Sequence, residues 1–325
     1  MRRELIVLFL SAVLLMACVG AVEEPAPTFT STAVPTQIPT VEVTMTPEEP
    51  FEIKLSVDSM KDPYGVAVNS LGHIYISDAG KDRVLIFDAD GNLLAKWDKK
   101  GSGEGEFKTL GFGGLAIDAN DNVFVVDNEN HRIQKFDKDG NFILQWGSEG
   151  TEEGQFVRAI GIAVDTVGHV YVTDDGNPYV QKFDNNGVFI MKFGGDGSGN
   201  GKFKHATGIA VDQQGNIFVA DYQSKYVQKF DAAGTFIKAW KMGEDIGAVG
   251  TPEGIAVDAD GNVYVTDYDL GRMQVFDING EPLWSVGGKN TSDNPFQRPT
   301  AIAFGNGVIY VVNQAGAKVS VVEFP

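Results

Sequence analysis

From Phe51 onward the chain alternates short apolar runs with polar, glycine-bearing turns. One unit reads Gly161-Ile162-Ala163-Val164-Asp165, then Val170-Tyr171-Val172-Thr173-Asp174. It continues Tyr179-Val180-Gln181-Lys182-Phe183-Asp184 and closes on Val188-Phe189-Ile190-Met191-Lys192-Phe193-Gly194. The second run is β-branched and aromatic nearly throughout, which suits a strand covered on both faces. The third alternates, as in Ile133-Gln134-Lys135-Phe136, and belongs further out. The fourth ends in a large aromatic at Trp97, Trp146, Phe193 and Trp240; the fifth unit breaks this, with Val286 in the slot and Trp284 two residues earlier. Between first and second runs lie segments such as Asp258-Ala259-Asp260-Gly261-Asn262, hairpin turns with Gly at a positive-φ position.

The pattern restarts at Gly65, Gly114, Gly161, Gly208, Gly254 and Ala301, with spacings of 49, 47, 47, 46 and 47. Four short β-rich runs at such a period mark a propeller blade. The expected fold is all-β, a six-bladed β-propeller of four-stranded antiparallel blades over 51–325. An alanine recurs at 67, 116, 163, 210, 256 and 303, where a methyl group is expected to face the crowded axis. The sixth unit has runs at 301–304, 308–312 and 318–323 and then ends without a fourth. Residues 51–57 alternate like an outer strand and precede the first unit, so they are predicted to complete the last blade and close the ring.

The first 50 residues follow another pattern. Met1-Arg2-Arg3-Glu4 precedes an apolar run from Leu5 to Met16 interrupted by Ser11, too short to span a bilayer comfortably but suited to a signal-peptide core. Leu15-Met16-Ala17-Cys18 resembles the bacterial lipoprotein lipobox, with Met16 departing from the usual small or β-branched residue. That resemblance implies a signal peptide over 1–17, acylation of Cys18, and export to the outer face of the cytoplasmic membrane or to an outer membrane. Residues 19–50 hold six of the 13 prolines and seven threonines, and no Lys or Arg. Such a stretch cannot bury a core; 18–50 reads as an extended, lipid-anchored spacer.

Within the repeats, Asn130-His131-Arg132-Ile133-Gln134-Lys135-Phe136-Asp137 resembles the third-strand signature of the NHL-repeat family, and Arg272-Met273-Gln274-Val275-Phe276-Asp277 is similar. The Gly-rich connectors ending in Phe107, Phe156, Phe203 and Phe296 resemble it too. The resemblance spans 51–325 and implies the propeller fold. For function it implies a range, from binding scaffolds and RNA-binding domains to sensor heads and a metal-dependent lyase.

Charge narrows that range. The formal net charge is −18, and loss of the N-terminal segment leaves 24 basic against 43 acidic residues. So acidic a surface disfavours nucleic acid and polybasic membrane contact. The single cysteine, Cys18, permits no intramolecular disulfide.

Candidate chemistry centres on the residue before each Gly-Ile-Ala run, where side chains converge on the axis. That slot holds Tyr64, Gly113, Ile160, Thr207, Glu253 and Thr300, with no histidine for a lyase-type metal site. His73, His131, His169 and His205 lie elsewhere and do not make one tetrahedral site. Asp78, Asp127, Asp174, Asp221 and Asp267 each end a second run, with Asn313 in the sixth position. Their oxygens would suit Ca²⁺, but a residue in nearly every unit is better explained as a cap on its own loop. The loops 101–105 and 195–201 lack the Lys-Ser/Thr of a phosphate cradle and read as connectors. Tyr64, Tyr222, Tyr268 and Glu253 fall on or beside the inner slots, with Arg158 and Arg298 in adjoining loops. They are the candidate ligand-binding residues. The expected function is a monomeric, membrane-anchored binding or scaffold protein without cofactor, recognising a protein, peptide or glycan. The alternative is a Ca²⁺-dependent lyase or lactone hydrolase.

Overall fold

The computed structural model describes residues 51–53, 60–108, 110, 111, 113–243, 248, 250–288 and 294–323. The expected signal peptide, Cys18 and the spacer lie outside them. Among the described residues the strands form six four-stranded antiparallel sheets. Blade 1 runs Pro63–Val68, Ile74–Asp78, Arg83–Phe87 and Leu93–Trp97 from axis to rim. The inner strands of blades 2 to 6 are Leu115–Ile117, Ala159–Val164, Ala206–Val211, Pro252–Val257 and Pro299–Gly305. Blade 6 takes its outermost strand from upstream of blade 1. Phe51–Ile53 pairs with Lys318–Glu323, Phe51 opposite Val321 and Ile53 opposite Val319. The ring thus closes as expected; positions 54–57 of that predicted strand fall outside the described residues.

Buried apolar side chains collect in the seams between blades. Ala67, Tyr75 and Val84 of blade 1 pack with Leu115, Val123 and Phe136 of blade 2. The recurring alanines belong to these seams and do not face the axis. Ala67 shares a cluster with Leu115 of the next blade, Ala116 with Ile162, Ala210 with Ile255 and Ala256 with Ile302. A small residue is required because a larger aliphatic of the next blade fills the space opposite it. The tightest approach falls instead on the glycines. A Cβ on Gly114 would lie 2.7 Å from the Ile160 carbonyl oxygen, and one on Gly254 2.6 Å from that of Thr300.

Hydrogen bonds between blades fix the same place. The Ser77 hydroxyl donates to the Gly113 carbonyl at 2.7 Å, and Gly114 N–H to that of Ile160 at 2.9 Å. Thr173 donates to the Thr207 carbonyl at 2.7 Å, Thr207 to that of Glu253 at 3.1 Å, and Thr300 to that of Tyr64 at 2.9 Å. The carbonyl of the axial slot residue is therefore the recurrent acceptor from the preceding blade.

Further out, the terminal aromatic of one blade leans on the next. Trp97 meets Phe136 with centroids 4.8 Å apart, Phe193 meets Phe230 at 4.8 Å and Trp240 meets Phe276 at 5.9 Å. A positive-φ turn glycine of that next blade, such as Gly140 or Gly234, lies against the same ring, where a side chain would collide. The Gly-rich connectors are clipped by third-strand amides. Gln134 accepts from Gly105 N–H at 2.9 Å and donates to the Glu106 carbonyl at 2.8 Å. Gln181 and Gln228 repeat this on the next two connectors.

Gly161→Ala should destabilise the propeller by about 1–3 kcal/mol, the usual cost of overpacking, because its Cβ would overlap the Thr207 carbonyl. Gly199→Ala, with open space around the added methyl, should stay within about 0.5 kcal/mol of wild type. Urea unfolding midpoints of the two variants check this.

Candidate functional site

The slot residues share one end of the central channel, whose wall includes Gly65, Gly114, Gly161, Gly208, Gly254 and Ala301. Above it opens a cavity of about 230 Å³ lined by Tyr64, Ile160, His205, Tyr222, Glu253 and Tyr268. Its floor comes from the slots of blades 1, 3 and 5. Its rim comes from two further positions per blade: the residue two before the slot, and the residue after the second strand. A backbone bond joins these two positions. Asp175 N–H donates to the Arg158 carbonyl at 3.0 Å, Tyr222 to that of His205 at 2.9 Å, Tyr268 to that of Thr251 at 3.0 Å, and Gln314 to that of Arg298 at 3.1 Å.

The floor carries one carboxylate. Glu253 Oε1 accepts the Tyr64 hydroxyl from two blades away, and both side chains are buried. Burial pushes the Glu253 carboxyl up to about 7; Asp269 adds to the rise, while the Tyr64 hydrogen bond and Lys225 oppose it. Burial, then the Glu253 charge, holds the Tyr64 phenol well above its ordinary value. Tyr222 and Tyr268 are likewise raised, chiefly by partial burial. Burial and the nearby Arg158 guanidinium hold His205 below its ordinary value.

The walls are aromatic. Tyr222 and Tyr268 meet edge to face at 6.1 Å, and His205 lies 5.3 Å from Tyr222. Lys225 Nζ sits 4.6 Å from the Tyr222 centroid and hydrogen-bonds Thr251 Oγ1 at 2.9 Å. The Arg298 guanidinium lies 5.7 Å from the Tyr268 centroid, and the Tyr268 hydroxyl donates to Gln314 at 2.7 Å. Arg158 pairs with Asp175, which also meets His205 Nε2 at 3.0 Å.

The structure thus brings Tyr64, Tyr222, Tyr268 and Glu253 together around one cavity. Arg158 and Arg298 stand on its rim in opposite blades, each already engaged by a neighbour. His205, which the sequence places away from the slots, lies at the mouth and lines the cavity. Sequence reading missed it, and also Asp175, Lys225 and Thr251. The available signal was register: His205 stands two positions before its slot, as do Arg158 and Arg298.

The five recurring aspartates do not converge. Each is fully buried beside its own loop. Asp78 accepts from the amides of Lys61 and Asp62, and Asp174 from Val157, Arg158 and Gly176. Asp221 accepts from Lys204, His205, Gln223 and Ser224. Asp127 and Asp267 also bind loop amides, at Lys108 and at Thr251 and Leu270. Arg83 and Arg132 pair with Asp78 and Asp127 at 2.9 and 2.8 Å. Among the described residues no three His, Cys, Asp or Glu side chains are grouped to hold a metal ion. At the mouth Glu253 is the one carboxylate lining the cavity, too few acidic ligands for the oxygen cage that Ca²⁺ takes.

Residues 59–143 match the model of a family described as a 6-bladed beta-propeller, and residues 250–276 match the NHL repeat. No curated protein matches the sequence significantly. The fold is similar to that of a streptogramin B lyase at TM-score 0.61 and 12% identity, covering 85% of this chain and 98% of that one. It is similar to a gluconolactonase from Xanthomonas campestris at TM-score 0.61 and 16% identity, covering 86% and 95%. A calcium-binding regucalcin from Agrobacterium tumefaciens gives TM-score 0.60 at 11% identity, covering 86% and 94%. Likenesses at such identity concern the fold alone.

Because the folded carboxyl of Glu253 titrates near 7 against an ordinary 4.5, the folded state binds its proton more tightly than the unfolded chain. Its favourable contribution is present below about pH 4.5 and is lost as pH rises through 7. Glu253→Gln stays neutral. Its stability relative to wild type should therefore improve, by on the order of 3 kcal/mol, between pH 4.5 and pH 8. Urea unfolding of both proteins at the two pH values measures this.

Proposed function

We propose that the chain is a binding protein that displays its propeller outside the cytoplasmic membrane and recognises the end group of a protein, peptide or glycan in the channel mouth. The observation that carries the reading is the convergence of Tyr64, Tyr222, Tyr268 and buried Glu253 on one cavity. Tyrosine offers wide contact area with a hydrogen-bonding tip. At about 230 Å³ the cavity is below the roughly 300–1,000 Å³ of drug-sized ligand sites. It suits a head group or side chain whose larger remainder rests on the rim. Lipidated Cys18 and the 18–50 spacer are the proposed anchor, supported by Leu15-Met16-Ala17-Cys18 and the Pro/Thr-rich composition.

A photo-crosslinking residue at exposed Gln223, beside Tyr222, should capture a partner in the membrane fraction. The same probe at Val167, in a turn between first and second strands, should not. Tyr268→Ala should lower capture by roughly tenfold, the effect of losing about 1.4 kcal/mol of contact. Equal capture from both faces would refute the mouth as the recognition site. Cys18→Ser should release the chain from the membrane fraction.

The second reading, a Ca²⁺-dependent lyase or lactone hydrolase, is favoured by the fold similarity to the lyase and the gluconolactonase and by the raised Glu253 carboxyl, a value suited to general acid or base work. The donor set at the mouth, with Glu253 its one carboxylate, does not fit the metal. Under the binding reading, adding Ca²⁺ to chelator-treated protein leaves the melting temperature unchanged and elicits no lactone hydrolysis.

A further inference from the structure

We propose that the mouth cavity binds a primary alkylammonium group, on a free amine or a lysyl side chain, with Glu253 as counter-ion and Tyr64, Tyr222 and Tyr268 as its walls. The inference rests on the recognition reading above and names the chemistry of its ligand.

Three observations point to a cation. The first is depth: Glu253 is the charged residue on the floor, held there by its slot position and buried. A ligand anion at that depth would meet a carboxylate in a poorly hydrated site, whereas a cation would give that carboxylate the ion partner its burial calls for. Secondly, the walls are tyrosyl rings, whose electron-rich faces attract ammonium and guanidinium groups. The molecule already uses them so. Lys225 lies 4.6 Å from the Tyr222 centroid and Arg298 5.7 Å from that of Tyr268. Neither cation lines the cavity, whereas both rings do. The third is the field: a chain of net charge −18 draws cations towards it.

The rim cations do not make the floor an anion site. Arg158 is tied to Asp175 and Arg298 is stacked on Tyr268. Their place is beside the remainder of the ligand. A primary ammonium carries three donors, and Glu253 together with the tyrosine hydroxyl oxygens supplies acceptors. An aliphatic stem then runs out between the rings, in a volume that excludes a bulky head.

Binding should depend on pH through Glu253. Tyr64, Tyr222 and Tyr268 are held up, so they stay uncharged from pH 6 to pH 8, while burial and the Arg158 guanidinium disfavour the charged form of His205. The other charged groups around them are Lys225 and Asp269, acting on Glu253 with opposite sign, the Arg158–Asp175 pair, Arg298 beside Tyr268 and Asp221 beside His205. Protonating Glu253 removes the counter-ion while an alkylamine stays charged.

The full chain in detergent is titrated by calorimetry with n-butylamine, its neutral isostere 1-butanol, the anion butanoate, and Nα-acetyl-lysine N-methylamide. The amine should bind at least about tenfold more tightly than 1-butanol or butanoate at pH 8, a difference of about 1.4 kcal/mol. Its affinity should fall roughly tenfold from pH 8 to pH 6, following the ionised fraction of a carboxyl near 7. Glu253→Gln should lower amine affinity by about tenfold or more and leave 1-butanol unchanged. Tighter binding of the lysine amide than of butylamine assigns the group to a lysyl side chain; the reverse assigns it to a free amine. Equal binding of amine and alcohol, a preference for butanoate, or amine affinity independent of pH in the wild type overturns the proposal. Should the amines fail while the Gln223 probe still captures a partner, the ammonium assignment falls and the recognition mouth stands. If both fail, both fall.

Discussion

The ring around the mouth is held by a hydrogen bond that, among the described residues, five of the six blades deliver to the slot carbonyl of the next. Gly113, Ile160, Thr207, Glu253 and Tyr64 all accept one through their backbone. The bond anchors the main chain of the accepting slot residue without fixing its side-chain type, although Thr207 and Thr300 also use their own hydroxyls to donate onward. Tyrosine, glycine, isoleucine, threonine and glutamate therefore occupy equivalent places without disturbing the ring. The glycine that follows each of these slots serves the same end, since a Cβ there would press on a neighbouring blade. At these positions the main chain serves the ring, and the side chain is free to vary in type.

That separation explains how a carboxyl group comes to be buried on the axis. Glu253 is carried inward by its strand, not drawn there by a cation of its own. Its charge is disfavoured by burial, and the Tyr64 hydrogen bond offsets part of the cost. The recurring aspartates show the opposite economy: as buried, they spend their oxygens on loop amides and on Arg83 or Arg132. Burial alone does not mark a functional acid; what distinguishes Glu253 is that it faces a cavity.

Much of the fold was legible because it is repetitive. Spacings of 46 to 49 residues and four β-rich runs per unit define six blades, and the missing run of the last unit points to the strand at Phe51–Ile53. The capping aspartates were legible for the same reason, since a residue present in nearly every unit serves the unit. The alanines were read correctly as small but for the wrong neighbour, because one-dimensional periodicity does not say which face of a strand meets the next blade. That Tyr64, Tyr222, Tyr268 and Glu253 lie near one another was legible from their places on or beside the inner slots. His205, Asp175 and Lys225 were not: their part in the mouth arises from loops whose ends meet only in three dimensions.

The aromatic at the end of one blade leans on a turn glycine of the following blade, always in the same rotational sense. Blades 1 to 4 each present such a tooth, and blades 2 to 5 the notch that receives it. Any slice with both parts fits any other, so a duplicated unit arrives already equipped to mesh with its neighbours.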